Sequence, residues 1–294
     1  MIVEKIRAYM DGAGKSLNPQ AMEYAIERLK KTLTSQFSSE HTARDATVLK
    51  LYPSEAGKCE RQVLYKALGI PGEPFLSDVQ FKLAMGDLVE LALMYIISVT
   101  PDLSVIENNK IRDITIGGRA WRGATDGILV SGAERRNVEV KSASGIGFKM
   151  TVQRGVDDNF GYLTQASVYM RQLLLDKVIN VPETVFVYID RDSMKLWEVV
   201  VPYDEALAKA ADEKFLRIME AINKKKILPR PYQLDPGGRL PLNCRYCSHK
   251  YTCYVEPKQV VTFAASNPVY REAPKVQVSL RMIKNKPEWV LVES

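Results

Sequence analysis

The sequence predicts an α/β protein with a mixed central sheet flanked by helices. Three observations carry this. Residues 104–107, 111–116, 119–130 and 136–141 alternate like the strands of a β-meander and are punctuated by Gly117-Gly118 and Ser131-Gly132. Two further strands are expected at 184–190 and 195–201, the first so continuously apolar that it belongs in the middle of the sheet. Helical apolar spacing over 77–99, 158–177 and 204–226 separates these blocks.

Composition narrows the class. A chain of 294 residues, 46% hydrophobic and 26% charged, can bury a full core. The net charge of +6 and pI near 9.0 favour a polyanionic partner. No membrane span is expected, because the most apolar run, Leu88 to Val99, is short and contains Glu90. Met1-Ile-Val-Glu-Lys-Ile-Arg does not read as a signal peptide, so a reducing cytoplasm is expected. In that setting the four cysteines are metal ligands or core residues rather than disulfides.

Residues 1–18 read as short and polar-mixed. Gly12-Ala-Gly14-Lys15-Ser16 imitates the tail of a phosphate-binding loop, but Tyr9 stands where the first glycine is needed and no buried strand leads in. A helix over 19–37 follows, with Asn18-Pro19 as cap and first-turn proline. Residues 38–57 read as a loop. A short helix over 59–69 begins at Cys59, flanked by Lys58 and Arg61, and ends at a glycine. The 77–99 helix contains Gly86-Asp87-Leu-Val-Glu90. A carboxylate on so apolar a helix faces either solvent or a metal, and Asp87 is a rival for the same role.

The chemistry concentrates in Asp126-Gly-Ile-Leu-Val, a polar turn, and Asn137-Val-Glu139-Val140-Lys141. Strand alternation turns Glu139 and Lys141 to one side and Val140 to the other. Pairing of the two strands as a hairpin brings Asp126 to the same edge. Two carboxylates and an amine there suit a hard divalent ion and a water to be activated. The plainer reading is two surface strands with ordinary charges. Residues 142–156, carrying Lys149 and Arg154, read as a Ser/Gly-rich loop open to a ligand backbone. The 158–177 helix carries Tyr162, Gln165 and Tyr169, the last two on one face; read by themselves, Tyr169 belongs to the core and Gln165 to the surface. The 204–226 helix ends in three lysines, as suits a helix C-terminus. A Pro/Gly loop over 229–243 leads to Cys244-x2-Cys247-x5-Cys253. That knuckle is a strong metal signal, and Cys59 is the only remaining cysteine. Four thiolates suit either tetrahedral zinc or an iron–sulfur cluster. Zinc ribbons usually supply two knuckles, whereas one knuckle with two scattered cysteines suits a cluster. His249 lies in the loop as a spare ligand. Residues 258–294 form a tail with strand-like pieces at 276–282 and 290–292.

In chain order the features are Cys59, Gly86-x3-Glu90, Gly123-x2-Asp126, Glu139-x-Lys141, Gln165-x3-Tyr169 and Cys244-x2-Cys247-x5-Cys253. This order resembles the RecB-type branch of the PD-(D/E)XK nucleases, and within it the iron–sulfur members, such as the CRISPR-associated RecB-like exonucleases and the AddB nuclease domain. The resemblance spans about residues 50–256 and implies a restriction-endonuclease-like sheet. A four-cysteine [4Fe–4S] staple would join the N- and C-terminal parts. By the resemblance Glu90, Asp126 and Glu139 hold Mg2+ or Mn2+, with the Val140 carbonyl as an extra ligand. Lys141 positions or activates water, and Gln165 and Tyr169 contact DNA. Glu90 stands where the family often has histidine, and Thr125 where the superfamily's name has proline. Tyr162 is a candidate for base stacking, and Lys58, Arg61, Lys149 and Arg154 for DNA backbone contacts.

The expected organisation is an N-terminal helical extension (1–45), an iron–sulfur nuclease domain (46–257) and a tail (258–294). The expected activity is a metal-dependent DNA exonuclease on single strands or ends. The settings that fit are repair, recombination, CRISPR spacer acquisition or phage DNA processing in a bacterial, archaeal or phage-infected cytoplasm. The expectation leaves room for protein partners and for oligomers. The competing expectations are a non-catalytic iron–sulfur subunit that binds DNA ends or a partner, and a zinc-stapled scaffold.

Overall fold

The structure is a computed structural model that describes residues 1–12, 18–37, 51–70, 72, 77–156, 158–224, 226–233, 240–254, 259–264, 267–272, 277–283 and 286–292. Its elements run α1 (Ile2–Asp11), α2 (Pro19–Phe37), a 3-10 turn (Pro53–Glu55), α3 (Glu60–Ala67), α4 (Ser77–Val99), β1 (Ser104–Ile106), β2 (Ile111–Ile116), β3 (Arg119–Ala124), β4 (Gly127–Ser131) and β5 (Glu134–Ala143). They continue α5 (Gly145–Arg154), α6 (Tyr162–Leu175), β6 (Glu183–Asp190), β7 (Leu196–Pro202), α7 (Glu205–Asn223), α8 (Leu242–Arg245), α9 (Lys250–Tyr254), β8 (Gln259–Ala264), β9 (Asn267–Glu272), β10 (Gln277–Ile283) and β11 (Lys286–Val292). The chain divides into one unit of residues 1–57 and 76–215 and another of 58–75 and 216–294.

The first unit is built on a mixed five-stranded sheet in the order β1-β4-β5-β6-β7. Only β5 and β6 run parallel, and helices α5 and α6 make the crossover that parallel pairing requires. Side-chain alternation separates two cores. Leu129, Val138, Val140, Val185 and Val187 face α1 and α4 through Val3, Ile6, Leu93, Met94 and Ile97. Ile128, Phe186 and Tyr188 face α5 and α6 through Phe148, Ala166, Met170 and Leu173. Strand β6 is therefore buried on both faces, which explains its unbroken apolar sequence.

Three local expectations differ from the structure. The strands of 104–141 do not form one meander. Among the described residues strands β2 and β3 pair only with each other, and Trp121 of β3 packs edge-on against Phe215. Residues 2–11 are a helix whose Val3 and Ile6 sit in the core. Its register is held by the Val3 N–H donating to Glu198 (2.9 Å) and by Arg7 donating to the Leu196 carbonyl (2.8 Å). The loop expected over 142–156 contains α5. Its first N–H, at Gly145, donates to Asp192 from the β6–β7 turn (2.8 Å), and Phe148 and Thr151 are buried one turn apart. A helix start satisfied from 47 residues away is not a local signal.

In the second unit α3 packs with α8 and α9. Tyr65, Leu240, Cys244, Cys253 and Tyr254 form its core, and Glu60 pairs with Arg217. The tail holds two hairpins, β8–β9 and β10–β11, where only two strand-like pieces were expected. Residues 13–17 of the phosphate-loop imitation and 38–50 of the expected loop lie outside the described residues. Among the described residues no helix is long and apolar enough to cross a membrane.

Candidate active site

Strands β4 and β5 form an antiparallel hairpin with Gly127 opposite Val138. Asp126 sits just before β4, and its Oδ2 accepts the Val140 N–H at 2.8 Å. One residue on either side of Val140, Glu139 and Lys141 meet in a direct ion pair. Their side chains keep only 8% and 21% of their exposure, so the pair is largely out of water. Gln165 of α6 donates its Nε2 to Glu139 Oε1 at 3.3 Å. The Lys141 ammonium lies 5.1 Å from the centre of the Tyr162 ring, within cation–π range. These contacts lie on the face turned to α6, while Val138 and Val140 fill the opposite core.

Glu90 joins from α4. Gly86, one turn earlier, has no side chain to separate that helix from β5, and the Ser142 hydroxyl lies 3.8 Å from where its Cβ would stand. Glu90 accepts from Asn109 Nδ2 at 3.2 Å and lies 3.9 Å from the Arg28 guanidinium of α2.

The electrostatics show how tightly these groups are coupled. Burial holds the Asp126 carboxyl well above its usual range, and the charges of Glu139 and Glu90 push it further. Lys141 and the Val140 N–H pull the other way. Burial also raises Glu90, with a contribution from Glu139, against Asn109, Arg28 and Lys141. Burial alone would discharge Lys141, but Glu139 and Asp126 outweigh it, so the ammonium is held more firmly than in water. Three carboxylates therefore share one lysine. Among the described residues no three His, Cys, Asp or Glu side chains converge closely enough to hold a single ion.

Tyr169 is in the core, as its helix position alone suggests, rather than at the DNA-facing surface that the resemblance implies. Only 2% of it is exposed, so it offers no face to a base. Its hydroxyl is bonded by the Ala124 N–H, and burial with nearby Glu139 and Asp126 keeps it a phenol. A Cβ on Gly123 would stand 2.7 Å from that hydroxyl and 2.8 Å from Pro53, which accounts for the glycine of the Gly123-x2-Asp126 motif. Tyr162 is half-buried, and Lys149 and Arg154 are exposed on α5. Asn109 and Arg28 were not singled out in the sequence, because neither lies in a motif.

The cysteines belong to the second unit. Cys59, Cys244, Cys247 and Cys253 line one small cavity of ≈ 20 Å³, with Tyr65, Arg230 and Tyr254 among its other walls. Burial raises the thiols of Cys244, Cys253 and Cys247, the last to about 12, and the neighbouring sulfurs add to each rise. His249 is committed elsewhere. Its Nε2 bonds the Ile70 carbonyl (3.0 Å), its Nδ1 faces the Ser248 hydroxyl (3.2 Å), and burial keeps it neutral. Its backbone N–H donates to Cys247 Sγ (3.4 Å). Arg61, expected at a DNA backbone, is instead 8% exposed, donates to the Tyr65 hydroxyl (2.7 Å) and lowers the Cys253 thiol electrostatically. Lys58, beside Cys59, is half-buried in the same unit.

No protein-family model matches this sequence, and no curated protein matches it. Similar solved structures include the crystal structure of SSO0001, at 20% identity over 79% of this chain and 96% of that one, with a TM-score of 0.45. An alkaline exonuclease, LHK-Exo from Laribacter hongkongensis, is similar at 16% identity over 61% of this chain and 91% of that one, with a TM-score of 0.44. LHK-Exo in complex with dAMP is similar at 17% identity over 61% and 93%, with a TM-score of 0.43. The chemistry of this chain rests on its own residues.

Proposed function

We propose that this chain is a divalent-metal-dependent deoxyribonuclease of the RecB-like PD-(D/E)XK kind, acting as an exonuclease on single-stranded DNA or DNA ends. The observation that carries this reading is the buried convergence of Asp126, Glu139 and Glu90 on one lysine. Three carboxyl groups against Lys141 and Arg28 leave an acceptor-rich site, which is the chemistry of a donor set for a hard divalent ion. Asp126, Glu139, Glu90 and the Val140 carbonyl are the groups that would hold Mg2+ or Mn2+. When bound, such an ion acidifies a water and offsets charge on a phosphate.

The chain's own residues account for the rest. The Val140 N–H orients Asp126, and the Gln165 amide orients Glu139. Lys141 stays an ammonium at neutral pH. As an ammonium it serves as a hydrogen-bond donor to the attacking water or to charge developing on the phosphate. Water oxygen attacks phosphorus and one ester oxygen departs with a proton. Tyr162, beside the lysine, is the surface for an unpaired base, and Lys149 and Arg154 are candidate backbone contacts. Protein partners in a DNA-processing assembly and a CRISPR, repair or phage setting belong to the same reading.

The second unit is read as the seat of a [4Fe–4S] cluster on Cys59, Cys244, Cys247 and Cys253. Zinc needs all four sulfurs about 2.3 Å from one ion, whereas a cluster spreads its thiolates over several irons. What supports this reading is that the four cysteines line one pocket and that one Cys244-x2-Cys247 knuckle is joined by two scattered cysteines.

The test is digestion of 5′- and 3′-labelled single and double strands with Mn2+. Wild-type protein should release nucleotides, and Asp126→Ala and Lys141→Ala should lose at least ~100-fold, as removal of a preorganised charge contact does. Equal rates in the variants refute the assignment. Wild-type protein that binds ends without cutting them points to the non-catalytic subunit. Anaerobically purified protein should be brown, and a colourless protein with stoichiometric zinc overturns the cluster.

A further inference from the structure

Asn109 joins three parts of the candidate site. It lies in the turn between β1 and β2, outside every motif. Its backbone N–H donates to the Asp126 carbonyl at 3.2 Å, tying the turn to the residue that begins the hairpin. Its side-chain Nδ2 donates to Glu90 at 3.2 Å. Its Oδ1 accepts from the Arg28 guanidinium at 3.0 Å. Guanidinium can only donate and carboxylate can only accept. An amide wedged between them therefore has one satisfied orientation, oxygen toward Arg28 and nitrogen toward Glu90.

The backbone supports the same view. Asn109 has φ +50° and Glu107, two residues before, φ +55°. Both lie in the left-handed region, which L-residues enter at a cost and asparagine tolerates better than most. Two such residues in one short turn are held there by their surroundings. The turn is thus shaped to aim one amide at one carboxylate.

We propose that Asn109 is a positioning residue for the third carboxylate. Held by Arg28 on one side and by the Asp126 carbonyl on the other, it fixes the Glu90 carboxylate beside the turn that leads into the Asp126 hairpin, where it would serve a divalent cation. The role extends to α2, which lies before the nuclease-like stretch of the sequence and would reach the site through Arg28. This rests on the nuclease reading above, because only a cation-binding role gives Glu90 a direction to be held in.

The experiment uses Asn109→Gly in the full-length protein. Glycine adopts φ +50° freely, so the turn is kept while the amide is lost. Binding of Mn2+ is followed by the electron paramagnetic resonance signal of the free ion, without substrate. Loss of a partner that orients a metal ligand costs roughly 10–100-fold in affinity, so Asn109→Gly should weaken Mn2+ binding by about that factor. Glu90→Gln should weaken it at least as much, and the double variant no further than Glu90→Gln alone, because the amide acts only through Glu90. Unchanged Mn2+ affinity in Asn109→Gly, or losses that multiply fully in the double variant, overturn the proposal. Wild-type protein that binds no Mn2+ overturns the nuclease reading instead, so the two failures are distinct.

Discussion

Replacing Lys141 by methionine tests the charge arrangement through stability alone. The substitution keeps much of the stem and removes the ammonium that pairs with Glu139 and interacts with Asp126. Removing one partner of a buried ion pair costs roughly 3–5 kcal/mol. Protonation limits that cost, because a stranded carboxylate can take up a proton. At pH 7 the proton costs about 1.36 kcal/mol for each pH unit above an ordinary glutamate value of about 4.3, or about 3.7 kcal/mol. At pH 5.5 the ceiling is about 1.6 kcal/mol. The sign follows from linkage. A carboxylate whose folded pKa is raised binds more protons folded than unfolded, so stability falls as pH rises between the two values. Asp126 is already raised in the wild type, and loss of Lys141 raises it further. The variant should therefore lose about 2–4 kcal/mol at pH 7 and recover about 2 kcal/mol of it at pH 5.5. Hydrogen exchange at β5 and β6 amides, in chelator, reads this locally and does not require the two units to unfold together. A loss that is the same at both pH values, or below ~0.5 kcal/mol throughout, would show that Lys141 is not the counter-ion of the buried carboxylates.

Gly161→Ala should be among the most damaging single changes. Gly161 has φ +74°, and a Cβ there would stand 2.2 Å from the Gly57 Cα, so backbone must move on one side or the other. The left-handed conformation adds about 1–2 kcal/mol and the overlap a further 1–3 kcal/mol. Thermal unfolding should show both, along with slower cleavage, since Gly161 caps the helix that aims Tyr162 and Gln165. The choice of third carboxylate is tested by comparing Glu90→Gln with Asp87→Asn in Mn2+ titrations of cleavage. Only Glu90→Gln should shift the half-activating concentration, by more than the roughly 10-fold minimum expected of an orienting partner. A larger shift for Asp87→Asn reverses the assignment.

Much of this site is legible in one dimension because its parts are local. Asp126 immediately precedes β4, Glu139 and Lys141 lie on the neighbouring β5 after a short turn, and alternation alone places Glu139 and Lys141 on one face. The spacing of Cys244 and Cys247 likewise puts both on one pocket, and the apolar run of β6 announces a strand covered on both sides. Other features have no local signature. Helix α1 is polar-mixed in sequence and becomes core only because Glu198 and Leu196 of β7 receive it. Helix α5 starts where Asp192 supplies the missing acceptor. The family resemblance implies a DNA contact for Tyr169, and charge suggests one for Arg61, yet packing closes both over. Asn109 has no motif at all, and its role exists only because Arg28, Glu90 and Asp126 arrive from three separate stretches of chain. Periodicity and spacing thus determined which residues could share a strand face or a knuckle. Which polar groups face each other, and which are buried, depended on non-local contacts. A buried donor or acceptor is satisfied by whatever the fold brings near, whatever its distance along the chain.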